Sequence, residues 1–195
     1  SPPDQIDNRK THALVRSFFL RIATMTSIAA VASAELVDLE NAVILDPNQT
    51  TGGVVLAEEI ENRTGLVWQI VGEPDTNKAI IQLSILEGDI PAEGYSISVD
   101  QNDGGGASVN ILGADRQGLL FGVGHLLRKL VWGEGKAKIS SDLDIATSPL
   151  YPIRGHQLGY RPTANSYDAW SREQYDQYIR ELALLGGNAI ENILF

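Results

Sequence analysis

The spacing of apolar residues predicts a mixed α+β domain in the middle of the chain. Short apolar or alternating runs bounded by turn residues predict strands. They lie at residues 42–45, 66–71, 79–86, 95–99 and 108–112. Apolar residues at helical spacing predict helices over about 53–63 and 116–131. This order favours a small sheet with two helices on one face.

The second predicted helix carries glycines at positions that ordinarily disfavour them. Asp115 is its expected N-cap, and Gly118, Gly122 and Gly124 lie inside it. Each glycine weakens a helix by about 1 kcal/mol relative to alanine. We therefore expect close packing of this helix on the sheet to require them.

A different pattern begins after residue 149. Residues 151–158 predict a strand whose apolar start leads into Arg154 and His156, and residues 188–195 predict a second strand. Between them, Ser171 is expected to start an amphipathic helix. Strand, helix and strand in this order are typical of a β/α unit of a parallel sheet. We place the boundary in the polar residues 142–149, which gives domains of 35–148 and 149–195.

The first 34 residues have the pattern of a leader and signal peptide. Arg16 is followed by a mostly apolar stretch, residues 22–31, and then by the small residues Ala32-Ser33-Ala34. Cationic, apolar and small-residue regions in this order are the features of a secretory signal. The sequence thus predicts a secreted or periplasmic protein.

Composition excludes several functional classes. The 195 residues include 25 acidic and 15 basic side chains, for a net charge of -10, so no basic stripe is expected to bind nucleic acid. An acidic domain of this kind also avoids anionic membrane surfaces once the signal is removed. Cysteine is absent, and the three histidines (His12, His125, His156) lack metal-ligand spacing. We expect no metal and no cofactor, and the missing His-Glu-x-x-His motif disfavours a peptidase.

Two pairs of motifs are specific enough to be compared with known protein families. Residues 94–99 (GYSISV) and 111–122 (ILGADRQGLLFG) resemble the N-terminal accessory domain of beta-hexosaminidases and alpha-glucuronidases. Gln117 departs from that pattern, because it separates Arg116 from Gly118. Residues 152–157 (PIRGHQ) and 188–192 (NAIEN) look like the first two barrel strands that follow this domain. The resemblance implies an accessory domain joined to the start of a truncated (β/α)8 barrel.

The resemblance also implies where sugar would bind. A (β/α)8 barrel has its site at the C-terminal ends of its strands, which selects Arg154 and His156 after the first strand and Glu191 and Asn192 near the second. By similarity to hexosaminidases, Arg154 would bind sugar hydroxyls or a uronate carboxylate through its fork of donors. The catalytic acids of such hydrolases lie on later strands, so we expect no catalytic residue before Phe195 and no hydrolysis by this chain alone.

Alternatives remain open at this stage. Arg154 could instead pair with a carboxylate and hold a domain interface. Glu191 could form a salt bridge or position a neighbouring side chain that binds the ligand. Three aromatic residues of the loop expected after the first strand, Tyr160, Tyr167 and Trp170, could stack on a sugar ring or close the barrel mouth. The expected partners are a hexosaminide- or uronide-containing glycan and the rest of the parent barrel. The alternative to a hydrolase is a non-catalytic carbohydrate-binding or interdomain module.

Overall fold

The computed structural model describes residues 35–74, 77–86, 88, 90–101, 106–158 and 170–192. The predicted leader and signal peptide, residues 1–34, lies outside the described residues. In chain order the elements are β1 (Leu36–Asp38), β2 (Val43–Leu45), α1 (Thr51–Thr64), β3 (Ile70–Val71), β4 (Ile80–Ile85), β5 (Tyr95–Gln101), β6 (Ala107–Gly113), α2 (Arg116–Lys129), β7 (Val131–Gly133), β8 (Lys136–Ser140), β9 (Asp144–Thr147), β10 (Gly155–Leu158), α3 (Arg172–Leu184) and β11 (Ala189–Asn192).

A six-stranded mixed sheet forms the centre of the fold, in the order β3-β2-β4-β6-β5-β9. Strands β3, β2, β4 and β6 are parallel, whereas β5 runs antiparallel to both β6 and β9. Side chains alternate between the two faces of a strand, and one face carries Ile81, Ile97, Val109 and Ile111, all essentially buried. The predicted α+β class is confirmed.

Helices α1 and α2 cover the apolar face of this sheet side by side. A Cβ at Gly122 of α2 would lie 2.7 Å from Ile111 Cγ2 and 3.4 Å from Tyr95, while Gly52 of α1 lies beside Leu119 and Val123. Thr50 caps α1 and Asp115 caps α2, each by accepting a hydrogen bond from a first-turn backbone N–H. The apolar residues of both helices join the sheet residues in one core.

The sequence pattern missed the shorter strands. Strand β9 lies inside the polar segment taken as a domain boundary, where only Ile145 pairs with a core residue, Ile97. A further small antiparallel sheet has the order β1-β8-β7. The strand predicted over residues 66–71 shrinks to β3, because its partner β2 is itself only three residues long. Placement of the domain boundary stays a prediction.

The last described elements form a β/α/β unit. Ser171 and Gln174 make a capping box at the start of α3, and β10 and β11 pair in parallel. Helix α3 packs on α2 at Gly124, where any Cβ would overlap the backbone of Leu184. Two parallel strands and a helix are consistent with the predicted unit, and its extension into a barrel stays a prediction.

Replacing Gly124 with alanine is expected to destabilise the protein, because the added methyl group would push α3 away from α2. Alanine is intrinsically the better helix former by about 1 kcal/mol, yet overpacking of this kind should lower the free energy of unfolding by about 2 kcal/mol. Urea denaturation measures the change. The matched control is G72A, because a Cβ there meets nothing within 4 Å. Equal midpoints for G124A and the wild type would contradict the close packing.

Candidate functional site

The structure places Arg154 immediately before a strand, which corrects one expectation. Strand β10 starts at Gly155, so Arg154 precedes the strand and His156 lies inside it. Tyr151 and Ile153, whose apolar character suggested an earlier start, are exposed. Arg154 and His156 were selected because they were expected to follow the strand, and that reason is wrong. The strand begins only at Gly155, where its pairing with β11 begins. Their role in sugar binding stays a prediction.

Arg154 is held by three acceptors from different parts of the chain. Its Nε donates to Gly186 O at 2.8 Å, its Nη1 to Tyr151 O at 2.7 Å and its Nη2 to Glu93 Oε2 at 2.7 Å. The guanidinium carbon also lies 5.3 Å from the centre of the Phe121 ring, within range of a cation–π interaction. In this arrangement Arg154 joins the sheet domain to the β10–α3–β11 unit.

Glu93 is the partner that the sequence did not reveal. It lies in the loop before β5, and its carboxylate accepts hydrogen bonds from Arg154 and from Asn188 Nδ2, the latter at 3.1 Å. The side chains of Arg154 and Glu93 are only 21% and 18% exposed, so this ion pair is partly shielded from water. Because the two residues are 61 positions apart, no local pattern could have predicted their contact.

Side chains on β10 and β11 divide between two faces. His156 contacts the hydroxyl of Tyr178 in α3, so its face of the strand is turned to the helix. Gln157 lies on the other face, where its Nε2 donates to Glu191 Oε2 at 2.9 Å. The structure thus brings Glu191 together with Gln157 and separates both from His156. Asn192 pairs with Leu158 through the backbone, and its side chain lies outside the description.

The aromatic residue expected near the site is engaged by helix α3. The Trp170 ring centre lies 5.4 Å from that of Tyr175 and 5.2 Å from that of Tyr178. Edge and tilted arrangements at this separation are favourable for aromatic pairs. Trp170 therefore packs over the helix that also contacts His156. Tyr160 and Tyr167, from the same predicted loop, lie outside the described residues.

A cleft of about 150 Å³ borders Arg154. It is lined by Tyr95, Phe121, Arg128, Thr147, Ser148, Pro149, Arg154, Leu185 and Gly186. On its wall, the Tyr95 hydroxyl and His125 Nδ1 are hydrogen-bonded at 3.0 Å. Burial raises the pKa of Tyr95, an effect that Arg128 partly offsets. Burial, with Arg128 and Lys129 nearby, lowers the pKa of His125, so this pair is uncharged at neutral pH.

A network of charged side chains links α3 to α1. Arg180 donates to Glu58 at 2.6 Å, and Arg63 lies 3.0 Å from Glu181. Glu59, only 3% exposed, is shared between Arg63 and Arg180. The hydrogen bond with Glu58 is the main cause of a raised Arg180 pKa. These pairs hold α3 against α1.

The described residues offer little for a metal or a membrane. In the part of the chain that the structure describes, no group of three or more histidine, cysteine, aspartate or glutamate residues could hold a metal ion. None of its three described helices has the length and apolar character needed to cross a membrane.

The fold is similar to that of solved glycoside hydrolases of family 20. A family 20 beta-N-acetylglucosaminidase superposes with a TM-score of 0.52 at 25% identity, over 84% of this chain and 30% of that one. The family 20 enzyme of Vibrio harveyi in complex with N-acetylglucosamine gives 0.60 at 17% identity, over 83% and 23%. The beta-N-acetylhexosaminidase of Bacteroides fragilis NCTC 9343 gives 0.60 at 15%, over 82% and 30%.

These comparisons support a domain with a hexosaminidase-like fold. The chain spans less than a third of the length of the structures it matches. No protein-family model matches the chain, and no curated protein matches it. The alpha-glucuronidase part of the expected resemblance stays a prediction.

Replacing Arg154 with lysine should destabilise the protein although the charge is kept. A single lysine ammonium cannot reach Glu93, Gly186 and Tyr151 together. Because the hydrogen bonds of Arg154 are charge-assisted and partly buried, we expect their loss to lower the free energy of unfolding by about 2 kcal/mol. Chemical denaturation measures it. R172K is the control, because Arg172 is 88% exposed and 3.7 Å from Asp176, a pair worth about 0.5 kcal/mol or less. Equal losses in both variants would show that Arg154 does not join the two parts.

Stability should fall in mildly acidic solution because of His125. The pKa of His125 is lower in the folded protein than its ordinary value of 6.5. Below pH 6.5 the unfolded chain therefore binds a proton that the folded protein does not yet bind. The free energy of unfolding decreases as the pH falls from 6.5 to the pKa of the folded protein. The H125Q variant lacks this contribution, and its denaturation midpoint should vary less with pH over that range. Parallel pH profiles for H125Q and the wild type would contradict the assignment.

Proposed function

We propose that this chain is the N-terminal part of an exported glycoside hydrolase that acts on hexosaminide- or uronide-containing glycans. The observation that carries this proposal is the direct connection of a hexosaminidase-like sheet domain to the parallel β10–α3–β11 unit. The accessory domain covers residues 35–148, and residues 149–195 begin the catalytic barrel. The pattern of residues 1–34 supports export.

The unit β10–α3–β11 fits the start of a (β/α)8 barrel. In such a barrel the helices lie outside, and the strand residues turned away from them face the interior. Gln157 and Glu191 have this position, because His156 on the opposite face contacts α3. An amide and a carboxylate side by side provide both donors and acceptors for sugar hydroxyls. Glu191 and Gln157 therefore form the part of this chain best suited to bind a glycan.

The remaining predicted site residues have less support. Asn192 lies at the C-terminal end of β11, where barrel sites form. Arg154 would have to exchange a protein acceptor for a sugar hydroxyl, and His156 would have to leave Tyr178. All four predicted residues stay proposed sugar contacts. Glu191 has the strongest support, followed by Arg154, His156 and Asn192.

Hydrolysis itself requires more than these strands offer. Glycoside cleavage uses two carboxyl groups, or one carboxyl group and a substrate group that replaces the other. Glu191 is the one acidic residue of β10 and β11. We therefore propose that the catalytic acids belong to later strands of the parent enzyme and that residues 1–195 alone are inactive.

A second function, a non-catalytic carbohydrate-binding or interdomain module, is favoured by one observation. All three of the Arg154 hydrogen bonds given above end on protein atoms. An arginine with this set of contacts joins domains, whether or not a sugar lies nearby. In that case the chain would support a neighbouring catalytic domain or bind glycan without cleaving it.

Activity of a longer product of the same reading frame tests the proposal. We expect that product to release p-nitrophenol from the N-acetyl-β-glucosaminide or the glucuronide, and the 195-residue chain to release none. The E191Q variant of the longer product should lose at least about tenfold in kcat/KM, the effect of roughly 1.4 kcal/mol. A reading frame without acid-bearing barrel strands, or one whose product cleaves neither substrate, would overturn the hydrolase. Calorimetry with N,N′-diacetylchitobiose on the 195-residue chain then decides for or against the binding module.

A further inference from the structure

We infer that Glu93, a residue of the accessory domain, is the positioning residue for the sugar-binding strands. This inference rests on the proposed function. Glu93 does not belong to the β/α unit, yet its carboxylate contacts the residue that precedes each strand of that unit, Arg154 before β10 and Asn188 before β11. One side chain thus holds the starting points of both strands.

The backbone of Glu93 is fixed by helix α2. Glu93 has a left-handed conformation, with a φ of 60°, which is uncommon for a residue with a side chain. Its N–H donates to Asp115 Oδ2 at 2.8 Å, while Asp115 Oδ1 caps α2 at Gly118 N at 2.7 Å. A strained conformation persists only where its surroundings hold it. Here the N-cap of α2 provides that support.

A close backbone contact keeps the loop next to the helix. A Cβ at Gly118 would overlap Gly94 O, so the loop and the first turn of α2 lie closer than other residues allow. Gly94 O also accepts a hydrogen bond from Ala114 N at 2.9 Å. The position of Glu93 relative to α2 is therefore set by three contacts, and its carboxylate extends from a rigid base towards the β/α unit.

The contacts on the other side of Glu93 define the strand register. Asn188 Oδ1 accepts from Arg154 N at 2.9 Å, and Arg154 O accepts from Asn188 N at 2.7 Å and from Ala189 N at 3.2 Å. Asn188 and Arg154 are thus bonded to each other and to the same carboxylate. Strand pairing then continues as Gly155 with Ala189 and Gln157 with Glu191.

The register decides which side chains face the proposed glycan site. A shift of one residue moves every side chain of a strand to the opposite face, and Glu191 would then be turned towards α3. The β10–β11 ladder is only four residues long and cannot specify its register strongly by itself. By fixing the residue before each strand, Glu93 keeps Gln157 and Glu191 adjacent on the face away from the helix.

The test compares two carboxylates that both pair with arginines of the β/α unit. E93Q keeps the size of the side chain and one acceptor but removes the charge. E58Q is the matched control, because Glu58 pairs at 2.6 Å with Arg180, which lies in α3 and does not precede a strand. Amide hydrogen exchange of the 195-residue chain reports on the N–H groups of Arg154, Asn188 and Ala189. The same variants in calorimetry with N,N′-diacetylchitobiose report on the glycan site.

We expect the three amides to exchange about tenfold faster in E93Q, as for a weakened charge-assisted hydrogen bond, while amides of β4 and β6 change by less than about twofold. In E58Q the three amides should keep wild-type rates. If E93Q also weakened the sheet as a whole, E93G would separate the causes, because glycine readily adopts the left-handed conformation but has no side chain to contact Arg154 and Asn188. Wild-type exchange at all three amides in E93Q and E93G would overturn the inference.

The sugar measurement separates this inference from the proposed function. Weaker binding in E93Q, with E58Q unchanged, supports both. If the wild-type chain binds no sugar but the three amides respond to E93Q, the positioning role stands and glycan binding by this chain fails. If the chain binds sugar equally well with and without the Glu93 carboxylate, Glu93 has no positioning role at that site.

Discussion

Close backbone contact around α2 is the constraint on which the rest of this structure depends. Three of its glycines face three different neighbours: Gly118 meets the loop at Gly94, Gly122 meets the sheet at Ile111, and Gly124 meets the end of α3 at Leu184. At each point a larger residue would force the neighbour away. Glycine lowers the intrinsic stability of the helix at these positions but allows dense packing on three of its sides.

Electrostatic contacts extend from that helix to the β/α unit. Asp115 both caps α2 and holds Glu93, and Glu93 in turn contacts Arg154. At the opposite end of α2, Arg128 donates to Leu184 O at 2.5 Å, where the negative end of the α3 dipole favours a cation. The C-terminal end of α2 thus contacts the β/α unit directly through Arg128, whereas the N-terminal end is connected to it through Glu93. The two parts share a continuous set of contacts.

This arrangement gives the accessory domain a physical role in the proposed hydrolase. A glycan site at the C-terminal ends of parallel strands depends on the register and tilt of those strands. In the proposed site Glu191 and Gln157 would bind the sugar, whereas the structure shows Arg154 hydrogen-bonded to Glu93. The residues proposed to bind sugar thus lie within the short strands, and the residues that orient these strands lie just before them.

The sequence by itself determined the features that depend on near neighbours. Alternation in β5 and β6, the Asp115 cap and the Ser171 cap follow local rules, and the motifs around residues 94–122 were enough to indicate a hexosaminidase-like domain. The helix glycines indicated close packing, but only Gly122 packs on the sheet as expected. Tertiary structure alone decided that β10 begins after Arg154, that β9 joins the sheet and that Glu93 contacts Arg154 and Asn188. These depend on residues far apart in the chain, whose contacts only folding creates.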